Sequence, residues 1–440
     1  MVDDAIMLDR PTIPLIPDVG NTASKSRQMS MAVDDNHPDT QPVASAGSRY
    51  DVIVIGVGGM GSAAAYHLAR RGVRVLAIER FDIPNSIGAS HGMSRIIRLA
   101  YYEHPDYVPL LFRAYELWRE LEQTAGASLL HITGSIDAGL PNSRIVSGSL
   151  RACTAYGLEH ELLTSAELTG RFPAYSLPVD MVGNYQPQGG YLVPEQCVIS
   201  HVAAAQSMGA EIHGRERVIE WRVRSGRVVV VTDRETYKAD RLVITAGPWI
   251  ADLVSTLRGI VEIERQVVGW FQPRSPELFK AEHFPVFVLE AAAGARTYYG
   301  FPLHGIPGFK VGKLGHLGER THPDDVDREI HLRDEAVLRQ CVEEYFPDGN
   351  GPVLSMQACM FSNSPDQHFI IGSPEGQKQV AFAGGFSGHG FKFCSVVGEI
   401  LADLAIEGKT VHSLALFAPE RFKTRHQIDT MHQRVVTAKD

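Results

Sequence analysis

The sequence predicts an α/β protein in which a βαβ nucleotide domain is interleaved with an α+β domain built on a mainly antiparallel sheet. Three observations carry this expectation. A β-branched run, a glycine-rich turn, a small-residue helix and a second apolar run follow one another between Tyr50 and Glu79. Mixed strand-like segments, among them Val267 to Phe271 and Tyr298 to Phe301, fill the middle of the chain. Glycine-rich strand-like sequence returns after Pro352 and leads into an apolar helix. A chain of 440 residues is long enough for two domains sharing a cleft.

Asp51-Val-Ile-Val-Ile-Gly56 has the β-branched continuity of a strand buried on both faces. Gly56-Val-Gly58-Gly-Met-Gly61 follows, then a helix from Ser62 to Arg71 that Gly72 ends, then Val73 to Ile78 closing on Glu79. This is a complete βαβ unit in about 30 residues. Further helices are expected over Tyr107 to Thr124, Val198 to Met208 and Phe393 to Ala405. Strands are expected over Val228 to Thr232, Leu242 to Thr245 and Val380 to Gly385. The expected division gives 49–135, 196–260 and 351–440 to the nucleotide domain, and 136–195 and 261–350 to the second domain. Residues 1–48 carry acids and prolines, with no apolar block behind a basic start. They read as a disordered extension rather than a secretory signal, with Met29 and Met31 as alternative starts.

A net charge of −9 gives no basic footprint, which argues against nucleic acid as a partner. The five cysteines are scattered without a C-x-x-C pair, so neither a metal site nor a disulfide framework is indicated. A reducing cytoplasm is the expected compartment. No apolar run reaches the roughly 18–20 residues that a membrane-spanning helix needs.

The glycines have separate tasks. Gly56 permits the tight turn, Gly58 lets the backbone approach a pyrophosphate, and Gly61 lets helix and strand pack closely. The helix N-terminus then offers unpaired N–H groups to the diphosphate. Glu79 is placed to accept from ribose hydroxyls, which disfavours a 2′-phosphate. The fingerprint alone does not separate FAD from NAD.

Three more clusters carry chemistry. Ser90-His91-Gly-Met-Ser94-Arg95-Ile-Ile-Arg98 sets an imidazole and two guanidiniums in one short stretch. Arg95 and Arg98, three apart, would share a face on a helical turn. A solvated basic turn is the plain alternative, but Ile96, Ile97 and Leu99 suggest partial burial, and buried arginines need anionic partners. Gly388-His389-Gly390 precedes Phe391-Lys392-Phe393, where glycines allow approach to a flat ligand. Lys392 there either snorkels or meets a counter-ion. Cys359, in Gln357-Ala-Cys359-Met-Phe361, reads on composition as inert core.

Together these motifs resemble the monomeric sarcosine oxidase and N-methyltryptophan oxidase family, within the D-amino-acid-oxidase-like flavoproteins. The resemblance runs from about Tyr50 to about Phe422 through Ser90–Arg98, Tyr298–Pro302, Ala358–Met360 and Gly385–Phe393. It implies a Rossmann-like FAD-binding domain and oxidation of the C–N bond of a secondary amine, such as an N-methyl amino acid. Oxygen would be reduced to hydrogen peroxide, and the enzyme would be monomeric. It further implies that Cys359 carries FAD as a thioether, reversing the inert reading. Gly56, Gly58, Gly61, Glu79, Ser90, Ser94, Gly388, His389 and Gly390 would hold the cofactor. Arg98 and Lys392 would grip the substrate carboxylate, with Tyr298 and Phe361 as aromatic walls, Lys310 at the oxygen site, and Arg95 and His91 beside the flavin. Two positions depart from the family pattern. Leu314 stands where the family has a histidine, leaving His316 as a candidate substitute, and Phe361 replaces a pocket tyrosine. A bulkier or more apolar amine than sarcosine is the expectation. A cyclic imino acid or a glycated amino acid would keep the fold; an NAD-dependent dehydrogenase would leave Cys359 and the second glycine cluster unexplained.

Overall fold

The computed structural model describes residues 50–291 and 294–422, so the expected extension at 1–48 lies outside the described residues. Tyr50–Ile55 is the centre of an eight-stranded sheet, paired in parallel with Val75–Ile78 on one side and Thr236–Ile244 on the other. Glu211–His213 and Val380–Gly384 extend the parallel set outward. The continuous apolar run has its expected cause. Val52 and Val54 face a core shared with the helices, while Ile53 and Ile55 face one that includes Ile263 and Met360.

Helix Gly59–Arg70 begins at the glycine turn, three residues before the expected Ser62. Its small residues let helix Cys394–Glu407 come close: a Cβ on Gly398 would run into Ala63. Helix Pro194–Ser207 starts four residues earlier than the apolar periodicity indicated. Proline at the first position fits a helix start, where its missing N–H is no loss.

The second sheet has nine strands and is mainly antiparallel. Its site-forming part runs Val353–Asn363, Glu262–Phe271, Phe309–Lys313, Arg296–Phe301 and Val286–Ala291. Ser135–Gly139 joins Val286–Ala291 in parallel and carries the sheet on into Val182–Gln186. Val353–Asn363 pairs along its length with Glu262–Phe271, and the chain rejoins the first sheet only at Ile370. The His91–Arg98 segment is not a helical turn. It ends in a short strand, Arg95–Ile97, that pairs with Gly190–Leu192. Among the described residues no helix is long and apolar enough to cross a membrane.

Candidate active site

Two cavities meet between the sheets. The first, about 260 Å³, lies over the C-terminal ends of the parallel strands. Gly56, Gly58, Glu79, Ser90, Cys359, Gly388 and Gly390 line it. Its glycines are sterically required. Gly56 has φ +86°, and a Cβ on Gly61 would sit on the Gly56 carbonyl oxygen. The Glu79 carboxylate accepts from Val57 N at 2.8 Å and from Phe81 N at 3.0 Å, so it also braces the glycine turn. Burial pushes its pKa up while these backbone donors pull it down. Ser90 Oγ accepts from Gly59 N at 3.0 Å, in the first turn of the helix. A long, backbone-lined cradle ending on a helix N-terminus fits the diphosphate of FAD.

The second cavity, about 300 Å³, shares Arg95, Cys359, Phe361, Gly388 and Phe391 with the first. Its floor is one face of the second sheet, built by alternation. Phe361, Cys359 and Gln357 stand opposite Glu264, Gln266 and Val268. Beyond them come Tyr299, opposite Gly312, and Val288, opposite Tyr299. Gly312 is what lets Tyr299 lie flat, because a Cβ there would enter the tyrosine ring. Gln266 is fully buried, and neither of its amide atoms has a partner among the described residues. It stands opposite Cys359 but lines neither cavity, so its unmet donor and acceptor capacity lies behind the wall.

Arg98 and Lys392 are 3% and 4% exposed and line the same cavity. Because the strand ends at Ile97, Arg98 escapes the alternation that would turn it away from Arg95. Arg98 lies 3.0 Å from Glu103 and 3.4 Å from Asp137. Tyr101 and Tyr102 present their rings to its guanidinium at 4.9 and 4.8 Å. Burial opposes its charge, but the two acids hold it firmly protonated. Asp137 is 1% exposed, and burial pushes its pKa up to about 7 against the pull of Arg98. Lys392 Nζ donates to His389 O at 2.8 Å; burial and Arg98 push its pKa down to about 7. Sequence reading missed Glu103, Asp137 and Gln266, which no motif marks.

His91 is 3% exposed beside Gln357, and burial with Arg95 nearby pushes its pKa down to about 4. Arg95 is fixed by donating to Ser94 O at 2.9 Å and Ala89 O at 3.1 Å. Ser94 lines neither cavity and instead holds Lys310. Lys310 lies just behind the wall at Gly92, with its ammonium on Gly92 O at 2.6 Å, Ser94 O at 3.0 Å and Ser94 Oγ at 3.1 Å. Burial and Arg95 push its pKa well down, yet three oxygen acceptors and the Phe301 ring at 4.4 Å are the surroundings of an ammonium. His389 lines the second cavity rather than the first, its ring bonded to Tyr101 OH at 2.6 Å and Gln367 O at 2.8 Å.

Two expected positions are elsewhere. Tyr298 points into the apolar core on the opposite face of its strand, and the cavity wall is Tyr299. His316 does not reach the cavity in place of the missing histidine. The chain turns at Gly315, φ +68°, and buries His316 against Asp334 at 2.9 Å. Asp334 is in turn bound by Arg265 through two 2.8 Å bonds.

A family model described as FAD dependent oxidoreductase matches residues 51–404. Monomeric sarcosine oxidase of Streptomyces avermitilis is 43% identical over 376 residues, covering 84% of this chain and 97% of that protein. N-methyl-L-tryptophan oxidase of Yersinia pestis is 34% identical over 377 residues, covering 85% and 100%. Among solved structures, NikD, described as an unusual amino acid oxidase essential for nikkomycin biosynthesis, superposes with a TM-score of 0.75. It is 26% identical, with 85% of this chain and 98% of that one covered. The glycine cradle, the helix terminus above it and these matches agree, and the chain belongs to the FAD dependent oxidoreductase family, close to its monomeric sarcosine oxidases and N-methyltryptophan oxidases.

Proposed function

We propose that the protein oxidises the C–N bond of an N-methyl amino acid or a similar secondary amine, reducing oxygen to hydrogen peroxide. The observation that carries this reading is the burial of two cations, Arg98 and Lys392, in a cavity that opens at Cys359 onto the nucleotide cradle. A carboxylate can there be held at a fixed distance from the cofactor ring. In balance, R–NH–CH₃ and O₂ give R–N=CH₂ and H₂O₂, and water then releases formaldehyde. Bound FAD supplies the two-electron acceptor.

Arg98 offers a planar fork to the carboxylate, and Lys392 offsets its desolvation. For this Arg98 must give up part of its pairing with Glu103. Tyr299 and Phe361 enclose the amine, and their apolar faces keep water from the reacting carbon. Lys310, behind Gly92, is placed to favour negative charge developing on oxygen. Cys359, 5% exposed and shared by both cavities, is the thiol positioned for a covalent link to the flavin. Burial raises its pKa, while Arg95 and Lys310 pull it down toward the reactive thiolate. The interleaved strands support a division into FAD-binding and substrate parts. Five free, buried cysteines support a reducing cytoplasm, and family resemblance a monomer.

The test is the visible spectrum of purified protein before and after acid precipitation, followed by a peroxide assay over N-methyl amino acids. Flavin that pellets with the protein, and is released in Cys359→Ala, supports the link. Flavin left in the supernatant removes the link but keeps the oxidase. Absence of peroxide with every secondary amine tried overturns the oxidase reading.

A further inference from the structure

The second cavity has two acids, Glu264 and Glu290, to which an N-methyl group and a carboxylate give no role. They stand on different strands of its floor, Glu264 opposite Phe361 and Glu290 opposite Thr297. Glu290 follows Val288 by two residues on the same strand and stands opposite Thr297, so it projects from the face that carries Tyr299. It is 8% exposed and tightly placed. Its Oε2 accepts from Ile145 N at 3.3 Å, at the start of helix Arg144–Tyr156, and a Cβ on Gly139 would touch its own Cβ at 3.3 Å. Its Oε1 accepts no hydrogen bond among the described residues. Glu264 is fixed by Asn363, which donates to its Oε2 at 2.6 Å. Of the cations on this wall, Arg144 lies over the Tyr102 ring at 5.0 Å, and Lys313 Nζ donates to His316 O at 2.6 Å.

A carboxylate oxygen facing an enclosed cavity is costly to leave unmet once a ligand excludes water. An apolar substituent pushed against Glu290 would strand that oxygen, whereas a cationic donor would satisfy it with a charge-assisted bond. The cavity, about 300 Å³, has room for a substrate much longer than N-methylglycine. We propose that the substrate is an N-methyl amino acid whose side chain ends in a protonated amine or guanidinium, received by Glu290 Oε1. The proposal rests on the amine-oxidase reading above. It differs from the expectation of a bulkier or more apolar amine, which was drawn from Leu314 and Phe361.

The experiment compares Nα-methyl-L-lysine with its neutral counterpart Nα-methyl-L-norleucine on the flavin-loaded enzyme, by peroxide release. The expected preference in kcat/KM for the lysine derivative is about tenfold or more, the size of one charge-assisted hydrogen bond. Glu290→Gln should bring the ratio close to one. A wild-type ratio at or below one overturns the cationic side chain and leaves the oxidase reading standing, whereas failure of every secondary amine overturns both. A readout that needs no turnover and no variant is the perturbation of flavin absorbance by 6-aminohexanoate and by hexanoate. Tighter binding of the former is expected, and equal or weaker binding overturns the proposal.

Discussion

The two cavities meet at Cys359, yet they are made of different material. The first is shaped at its glycine turn by backbone. Gly56, Gly58 and Gly61 let main chain approach main chain, and the Glu79 carboxylate there is tied to two backbone N–H groups. The second is cut from side chains. Arg98, Glu103, Asp137 and Lys392 oppose one another away from solvent, and Glu264 and Glu290 also line the cavity. A backbone cradle is insensitive to pH and intolerant of added bulk. A nest of buried charges is the reverse, since its geometry survives many substitutions while its electrostatics do not.

That contrast can be broken at several points. The largest effect is expected from Arg98→Ala, which removes the anchor and strands Glu103 and Asp137. kcat/KM on the best N-methyl amino acid should fall about 10³-fold while bound flavin is retained, and wild-type turnover would sink the anchor role. Gly61→Ala should do the opposite, placing a methyl group on the Gly56 carbonyl. An overpacking cost of roughly 3 kcal/mol corresponds to about 100-fold weaker FAD retention, read as flavin absorbance per chain. Full flavin content in that variant would show that the cradle relaxes.

A pH series sharpens the comparison from the other side. Lys392 and Asp137 both have pKa values near about 7, the first lowered and the second raised by burial. As pH rises past that value Lys392 loses its positive charge and Asp137 gains a negative one, so both changes oppose a bound carboxylate. Affinity for a simple carboxylate inhibitor should therefore fall by up to about tenfold per pH unit for each group, and Lys392→Met should flatten the profile. A wild-type profile that is flat from about pH 6 to about pH 9 would rule out titration of this pair. The smallest effect belongs to His316→Asn. It should lower Tm by roughly 2–4 °C through the lost bond to Asp334, with kcat/KM within about twofold of wild type. A large loss of turnover with Tm unchanged would return His316 to the chemistry.

The same contrast explains what was legible in the sequence. The cradle is local: turn, helix and acid lie within one βαβ unit, so spacing alone located them. The parallel strands were equally plain, because burial on both faces leaves a continuous apolar run. The second cavity depends on parity and register. Tyr298 and Tyr299 are chemically identical neighbours, and only their pairing with Lys313 and Gly312 decides which one faces the cavity. The place of His316 was left open, because nearness in sequence hid the turn at Gly315. Asp137 and Glu290 meet the site from strands paired with each other in parallel across more than a hundred intervening residues. An acid closing the apolar run Val286-Phe-Val-Leu-Glu290 was the available signal, and periodicity alone gave it no role.

The placement of helix Cys394–Glu407 against helix Gly59–Arg70 has a consequence for how the protein is made. The cradle opens with Gly56, early in the described residues, and is closed by Phe391 and Cys394, late in them. A nascent chain on the ribosome carries the fingerprint glycines long before it has the wall that encloses them. Firm retention of the flavin is therefore expected only once Phe391 and Cys394 have been added, and a chain truncated before Phe391 is expected to lose its cofactor.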